Sequence, residues 1–285
     1  MPHPPSHPHD HAATGTGLTA LLDLDGQALH EYWTAALGWV ERAVRDAGVT
    51  PRRIVDLGAG SGLATVLLAE RFPDADVLAI DVSDEMVEHI RGKATAHGLT
   101  RVRVEQADLD GAWPEAGPLD LVWASMSLHH LADPERVLGD VRASLRPGGL
   151  VAVAEFDEPL RFLPDDLGLG EPGLERRCLD VMAEVHARDV PELGADWPAR
   201  LARAGFEAIE ARPFAIELTP PSDAVTNRYA LRWMQRLAVG VGEALDEGDR
   251  ATLAALVGDG PASIGRRDDI HVRGLRTVTL ARRPA

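Results

Sequence analysis

The chain is short of cysteine, of lysine and of long apolar runs, and each shortage closes off a class of protein. A single cysteine, Cys178, excludes an intramolecular disulfide and suits a reducing compartment. Lys93 is the only lysine, and no Lys/Arg run is dense enough to follow a phosphate backbone. With 45 acidic against 29 basic side chains the formal net charge is -16, which repels polyanions and favours solubility. Nucleic acid and the membrane surface are therefore not expected partners. No apolar stretch approaches the thickness of a bilayer, and Met1–Asp10 lacks the apolar centre of a signal peptide. A cytoplasmic location is the expectation. Gly and Pro, 27 and 20 of 285 residues, stay below the level of a low-complexity chain, and the length is ample for a buried core.

Residues 1–17 are rich in Pro, His, Gly and Thr without periodicity and read as a disordered tail. His3, His7, His9 and His11 lie close together there, but no closing ligand set with zinc-site spacing follows, so no metal site is expected. From Gln27 to Ala47, Leu29, Trp33, Ala36, Leu37, Val40 and Val44 recur at helical spacing, and Gly48 is the stop. Strands follow at Arg53–Leu57, Asp76–Asp81, Val102–Gln106, Leu119–Ser125 and Leu150–Phe156, alternating with helices. Ser83 caps one helix, and Asp133-Pro134 starts another. Continuously apolar strands alternating with helices predict a doubly wound α/β fold, with a mostly parallel sheet whose strand C-termini line one ligand-binding edge. Beyond Phe156 the pattern loosens. A helix centred on Leu174–His186, a short one over Pro198–Ala204, an extended run Phe206–Leu218, two helices within 222–257 and a closing strand Gly274–Arg282 are expected. Residues 157–197 and 219–270 read as insertions capping the strand ends of one domain spanning 18–285.

The informative turn is Val55-Asp56-Leu57-Gly58-Ala59-Gly60-Ser61-Gly62. Alternate glycines allow a tight turn and close ligand approach, and the helix starting near Gly62 offers unpaired N–H groups. A dinucleotide fingerprint would want Gly or Ala where Leu63 stands; a P-loop would want Gly-Lys-Ser/Thr where Leu63-Ala64-Thr65 stands. The charge of Asp56 would oppose a pyrophosphate but suit a ligand bearing an ammonium and a sulfonium. Asp81 ends the second strand, where a carboxylate accepts from ribose hydroxyls, and Asp108 follows the third, within reach of an adenine amino group.

These segments together, VDLGAGSG, the acid in AIDVS, the QADL turn and the LRPGG turn, resemble the class I S-adenosylmethionine-dependent methyltransferases. SLHHL after the fourth strand is similar to the branch containing the quinone-biosynthesis methyltransferases, and RTVTLARRP to bacterial small-molecule methyltransferases. The resemblance implies a seven-stranded, Rossmann-like sheet with an antiparallel last strand and an N-terminal lid helix. It implies that Gly58 and Gly60, within the Asp56–Gly62 loop that includes Ala59, contact the methionine end of the cofactor. Asp81 would hold the ribose, Val82 and Met86 would flank adenine, Asp108 and Leu109 would meet the base, and the Ser125 carbonyl would take the ammonium. The Asn/Asp-Pro-Pro-Tyr/Phe run of amino-directed enzymes is replaced by Ser125-Met126-Ser127-Leu128.

Methyl transfer is an in-line displacement governed by positioning, with a base needed only for a protonated acceptor. His129 and His130 are the base candidates, and Glu155 and Asp157 could orient an acceptor. Tyr32 is the lid candidate beside Trp33, which reads as core. Arg228, Tyr229, Arg232 and Trp233 could line an acceptor pocket. The expected function is S-adenosylmethionine-dependent O-, N- or C-methylation of a small molecule, in an enclosed apolar cavity between the insertions beside Ser125 and His129. A cofactor-binding protein without turnover and a nicotinamide-dependent oxidoreductase are the alternatives, and a homodimer is left open.

Overall fold

The computed structural model describes residues 15–285. Its elements in chain order are α1 (Gly15–Ala28), α2 (His30–Asp46), β1 (Arg53–Leu57), α3 (Leu63–Arg71), β2 (Asp76–Asp81), α4 (Asp84–Ala96) and β3 (Val102–Gln106). There follow β4 (Leu119–Ser125), a 3-10 turn at Leu128–His130, α5 (Pro134–Ser144), β5 (Leu145–Phe156), α6 (Leu174–Asp189) and α7 (Trp197–Arg203). The chain closes with β6 (Glu207–Leu218), α8 (Ala224–Val241), α9 (Glu247–Val257) and β7 (Val272–Arg282).

The seven strands form one sheet in the order β3-β2-β1-β4-β5-β7-β6. β1 to β5 run parallel to their neighbours, whereas β7 is antiparallel to both β5 and β6. The parallel strands are covered on both faces, which is why Leu119–Ala124 are buried without alternation. On one face Trp123, Ala152 and Val278 pack with α1, α2, α3 and α8; on the other Val122, Val151 and Ala281 pack with α5 and α7. The stripe Trp33, Ala36, Leu37, Val40 and Val44 anchors α2, each Val- or Leu-sized side chain stabilising the fold by about 1.5–3 kcal/mol. No helix among the described residues is long and apolar enough to cross a membrane.

Three differences from the expected elements stand out. The N-terminal helix is bent into two at Leu29, whose amide still bonds to the Asp25 carbonyl. α1 starts at Gly15, so residues 15–17 are helical and not tail; Leu21 is buried, Leu22 packs on Gly60 and Gly26 on Leu63 of α3. The rest of the expected tail, with His3, His7, His9 and His11, lies outside the described residues. β5 begins at Leu145 and not at Leu150, since Leu145 pairs with Leu119 before a register shift in β4.

Candidate active site

The C-terminal ends of β1, β2, β4 and β5 share one edge, and the loops leaving them build the site. Gly58, Gly60 and Gly62 all have left-handed φ angles of 63°, 54° and 78°. A Cβ at Gly58 would lie 2.4 Å from the Ser127 Cβ, and one at Gly62 would lie 2.8 Å from Ile90, so packing as well as conformation demands glycine. Asp81 ties the loop to β2: its Oδ2 accepts from the Gly60 amide at 2.8 Å and its Oδ1 from the Ser83 amide at 2.9 Å. Val82 beside it is 44% exposed, an unusual display of a large apolar side chain, while Met86 and Leu109 are buried and Asp108 is exposed. Met126 adopts a left-handed φ of 53°, rare for a non-glycine residue, and turns the chain off β4 so that Ser127 Oγ donates to the Leu57 carbonyl. Ser125 Oγ is buried there without a hydrogen-bond partner.

Asp56 departs from the expected electrostatics. Its carboxylate is buried and accepts from Thr65 Oγ1 at 2.6 Å; burial above all, with Asp81 adding to it, pushes it up to about 7. Near neutrality its charge is only partial, which removes much of the argument from a fixed negative charge beside the loop.

Helix α1 lies across this loop. A Cβ at Gly60 would meet Leu22 at 3.0 Å, Thr19 donates to Glu85 at 2.5 Å, and Asp23 pairs with Lys93 and His89 on α4. Asp25, on the same helix, is buried in the core. It accepts from Trp33 Nε1 at 3.0 Å, from Tyr229 Oη at 2.6 Å and from Arg276 Nη2 at 2.6 Å. Burial alone would raise the Asp25 carboxyl, but the Arg276 guanidinium and these donors hold it below its ordinary value. Tyr32 is buried with the Arg276 guanidinium 4.9 Å over its ring, and burial pushes its hydroxyl up to about 12. Tyr229 is therefore committed to the core, and Phe162 and Trp233 pack against its ring. Arg228 and Arg232 are exposed. The space expected to be open between the insertions is occupied by these aromatic rings.

The other face of the same edge carries a buried His–Glu pair. His129 Nδ1 lies 2.5 Å from Glu155 Oε2, with both side chains about nineteen-twentieths buried. The ring of His130 packs at 4.1 Å from that of His129, and His130 is exposed. His186 on α6 has its imidazole pKa lowered, by burial first and then by the neighbouring His129. Glu155 Oε1 is buried without a partner, and Glu155 is among the residues lining a cavity with Asp157, Trp197 and Thr277.

Sequence reasoning singled out His129 and Glu155 separately and missed that they pair. It also missed Asp25, Arg276 and His186. Asp25 sits at helical spacing among Leu18, Leu21, Leu22 and Leu29, and Arg276 alternates with the buried Val278 and Leu280. A charge on an otherwise apolar stripe is the signal that was available for both.

A model of the methyltransferase domain matches residues 54–149. The demethylmenaquinone methyltransferase of Thermus thermophilus is 39% identical over 193 residues, 67% of this chain and 78% of its own. The 27-O-demethylrifamycin SV methyltransferase of Amycolatopsis mediterranei is 32% identical over 225 residues, 73% of this chain and 78% of its own. The chain spans 41% of the length of a trans-aconitate 2-methyltransferase from Azoarcus sp., to which it is 40% identical over 109 residues. Among solved structures the YcgJ protein from Bacillus subtilis has the same fold, with a TM-score of 0.52 at 18% identity over 88% of this chain and 99% of that one. A Rossmann-like sheet with a glycine loop under its first strand defines the class. The chain belongs to the class I methyltransferases, enzymes that use S-adenosylmethionine as cofactor. That membership sets aside the nicotinamide-dependent reading.

Proposed function

We propose that this enzyme methylates a hydroxyl oxygen of a small molecule, with His129 as general base. The buried His129–Glu155 pair at the ends of β4 and β5 carries the reading. An amine that arrives neutral needs no base, whereas a hydroxyl must lose a proton as the new bond forms. A carboxylate on Nδ1 fixes the imidazole tautomer, leaves Nε2 to receive that proton and stabilises the imidazolium that results. The name of the Amycolatopsis relative specifies an oxygen acceptor, and the strongly acidic chain with its one lysine suits no polyanion.

The residues at the β1–β4 edge fit the cofactor. Gly58, Gly60 and Gly62 keep side chains out of the loop that also holds Ala59; the Ser125 carbonyl would take the ammonium, and the buried Ser125 Oγ lacks a partner that a bound donor would supply. Asp81, held by the Gly60 and Ser83 amides, would take the ribose hydroxyls; Val82 and Met86 would flank adenine, with Asp108 and Leu109 at its edge. Asp56 would act through the loop, by holding Thr65 on α3. When bound, S-adenosylmethionine would supply an electrophilic methyl carbon on a cationic sulfur. His129 takes the hydroxyl proton at Nε2, Glu155 holds Nδ1, and α1 with Tyr32 excludes water from the closed edge. Residues 157–197 and 219–270 are insertions within a single, cytoplasmic methyltransferase domain, and the second of them packs on the α1 and α2 face.

Transfer of labelled methyl to a panel of phenols, amines and quinone precursors tests this. Activity on phenolic oxygen is expected, with His129→Ala lowering kcat by about 10²–10⁴-fold and leaving the affinity for S-adenosylhomocysteine unchanged. Full activity in His129→Ala would remove the base assignment.

A further inference from the structure

Two acids, two positions apart on α1, fasten that helix on opposite sides. With 3.6 residues per turn, Asp23 and Asp25 point about 200° apart. Asp25 reaches Arg276 on β7 and Tyr229 on α8. Asp23 reaches the other way, towards α4 and the glycine loop. Its Oδ1 accepts from Lys93 Nζ at 2.5 Å, and its Oδ2 lies 2.9 Å from His89 Nε2. The same ammonium donates to Ser61 Oγ of the loop at 3.5 Å. The one lysine of the chain thus stands where α1, the loop and α4 meet.

The two fastenings differ in burial. Arg276 and Asp25 are enclosed in the core, whereas the Lys93 and Asp23 side chains are 24% and 26% exposed. Burial alone would raise the Asp23 carboxyl, but Lys93, with His89 and Ser61, holds it below its ordinary value. A pair with that exposure is screened by salt and is weaker than a buried one. α1 is therefore pinned at Asp25 and released more readily at Asp23.

Beneath the Asp23 end lies the loop. Leu22 stands 3.0 Å from where a Gly60 Cβ would be, and Thr19 bonds to Glu85 and to the Met86 sulfur. The side assigned to adenine is open by contrast, with Val82 44% exposed and Asp108 exposed. A nucleoside has free access there, while the amino-acid end of the cofactor must pass beneath Leu22.

We infer that Lys93 is a positioning residue for the cofactor: through Asp23 it holds residues 15–24 over the loop and sets how fast the cofactor leaves. The inference rests on the assignment of the glycine loop to the methionine end and is independent of the acceptor.

Stopped-flow release of S-adenosylhomocysteine from the full chain tests it, with adenosine, which lacks the amino-acid end, as second probe. Lys93→Met is expected to speed release about 5-fold, the scale of one partly exposed ion pair. Lys93→Arg is expected to restore the parent rate to within about 2-fold, and adenosine affinity to be equal in all three proteins. Raising salt to about 0.5 M is expected to speed release from the parent about 3-fold and to leave Lys93→Met unmoved. Hydrogen exchange in the cofactor-free protein reads the fastening without a ligand. Amides of residues 19–24 are expected to exchange about 5-fold faster in Lys93→Met, with residues 25–28 unchanged. Release that ignores Lys93, an equal weakening of adenosine, or unchanged exchange over residues 19–24 overturns the inference. Failure of the parent to bind S-adenosylhomocysteine while exchange still responds to Lys93→Met overturns the loop assignment, and the inference with it.

Discussion

The two halves of the sheet edge are built differently. On the β1–β3 side Gly60 and Asp81 bond across 21 positions of chain, within one β-α-β unit. On the β4–β7 side Asp25 and Arg276 bond across 251 positions, and Tyr229 reaches Asp25 across 204. The first half is made wherever its local motif folds. The second exists only once α1, β7 and α8 are all in place. Cofactor affinity and overall stability should therefore respond to different residues, and that separation can be attacked from either side.

The largest effect is expected from Asp25→Ala, which strands a buried Arg276. Removing one partner of a buried ion pair costs about 3–5 kcal/mol, read as a fall in the denaturant midpoint. The Asp25→Ala/Arg276→Met double variant should recover most of it. A loss under 1 kcal/mol in the single variant would mean that the long-range half is not held by this pair. Gly58→Ala comes next. It places a side chain at a left-handed φ and against Ser127 Cβ, and about 2–4 kcal/mol of destabilisation is expected. Ser127→Gly in the same chain should relieve the clash and leave the conformational part; no relief would show that the two loops are not packed as described.

Asp81→Ala sharpens the comparison from the cofactor side. It should weaken S-adenosylhomocysteine by about 1.5–3 kcal/mol in calorimetry, the scale of hydrogen bonds to a charged group, with little change in melting temperature. Parent affinity would disconnect the strand end from the ribose. The mildest effect is a slope with pH. Asp56 is raised by burial to about 7, so between about pH 4 and pH 7 the unfolded chain gives up a proton that the folded chain keeps. Stability should fall as pH rises through that window, by at most about 1.4 kcal/mol per pH unit, and level off above it. Asp56→Asn should flatten the slope; an unchanged profile would place its origin elsewhere, with Glu175, raised by burial to about 6, the first alternative.

Legibility followed the same division. The glycine loop, Asp81, the cap at Ser83 and the start at Asp133-Pro134 stood in the sequence because each depends on neighbours a few residues away. The helix break at Leu29 did not: the apolar stripe runs through it unbroken, and only the docking of α1 against the loop and α8 redirects the chain. Tyr229 looked like a pocket residue because an aromatic residue flanked by arginines on an amphipathic helix reads equally as lining or as core. Its hydroxyl went to Asp25, 204 positions away, and no local pattern announces such a partner.

What the sequence determined by itself is the alternation of strands and helices and the edge where ligands bind, since period and turn chemistry are properties of adjacent residues, while the cofactor class came from the resemblance to a known family. Tertiary structure decided which charges are spent inside the fold and which remain for chemistry. Arg276 is matched by Asp25, whereas Glu155 is matched only on the oxygen that holds His129. That decision belongs to desolvation: a carboxylate taken from water must find its donor in whatever the whole fold brings to it, and what is left unpaired there is settled only when the last strand is laid beside the fifth.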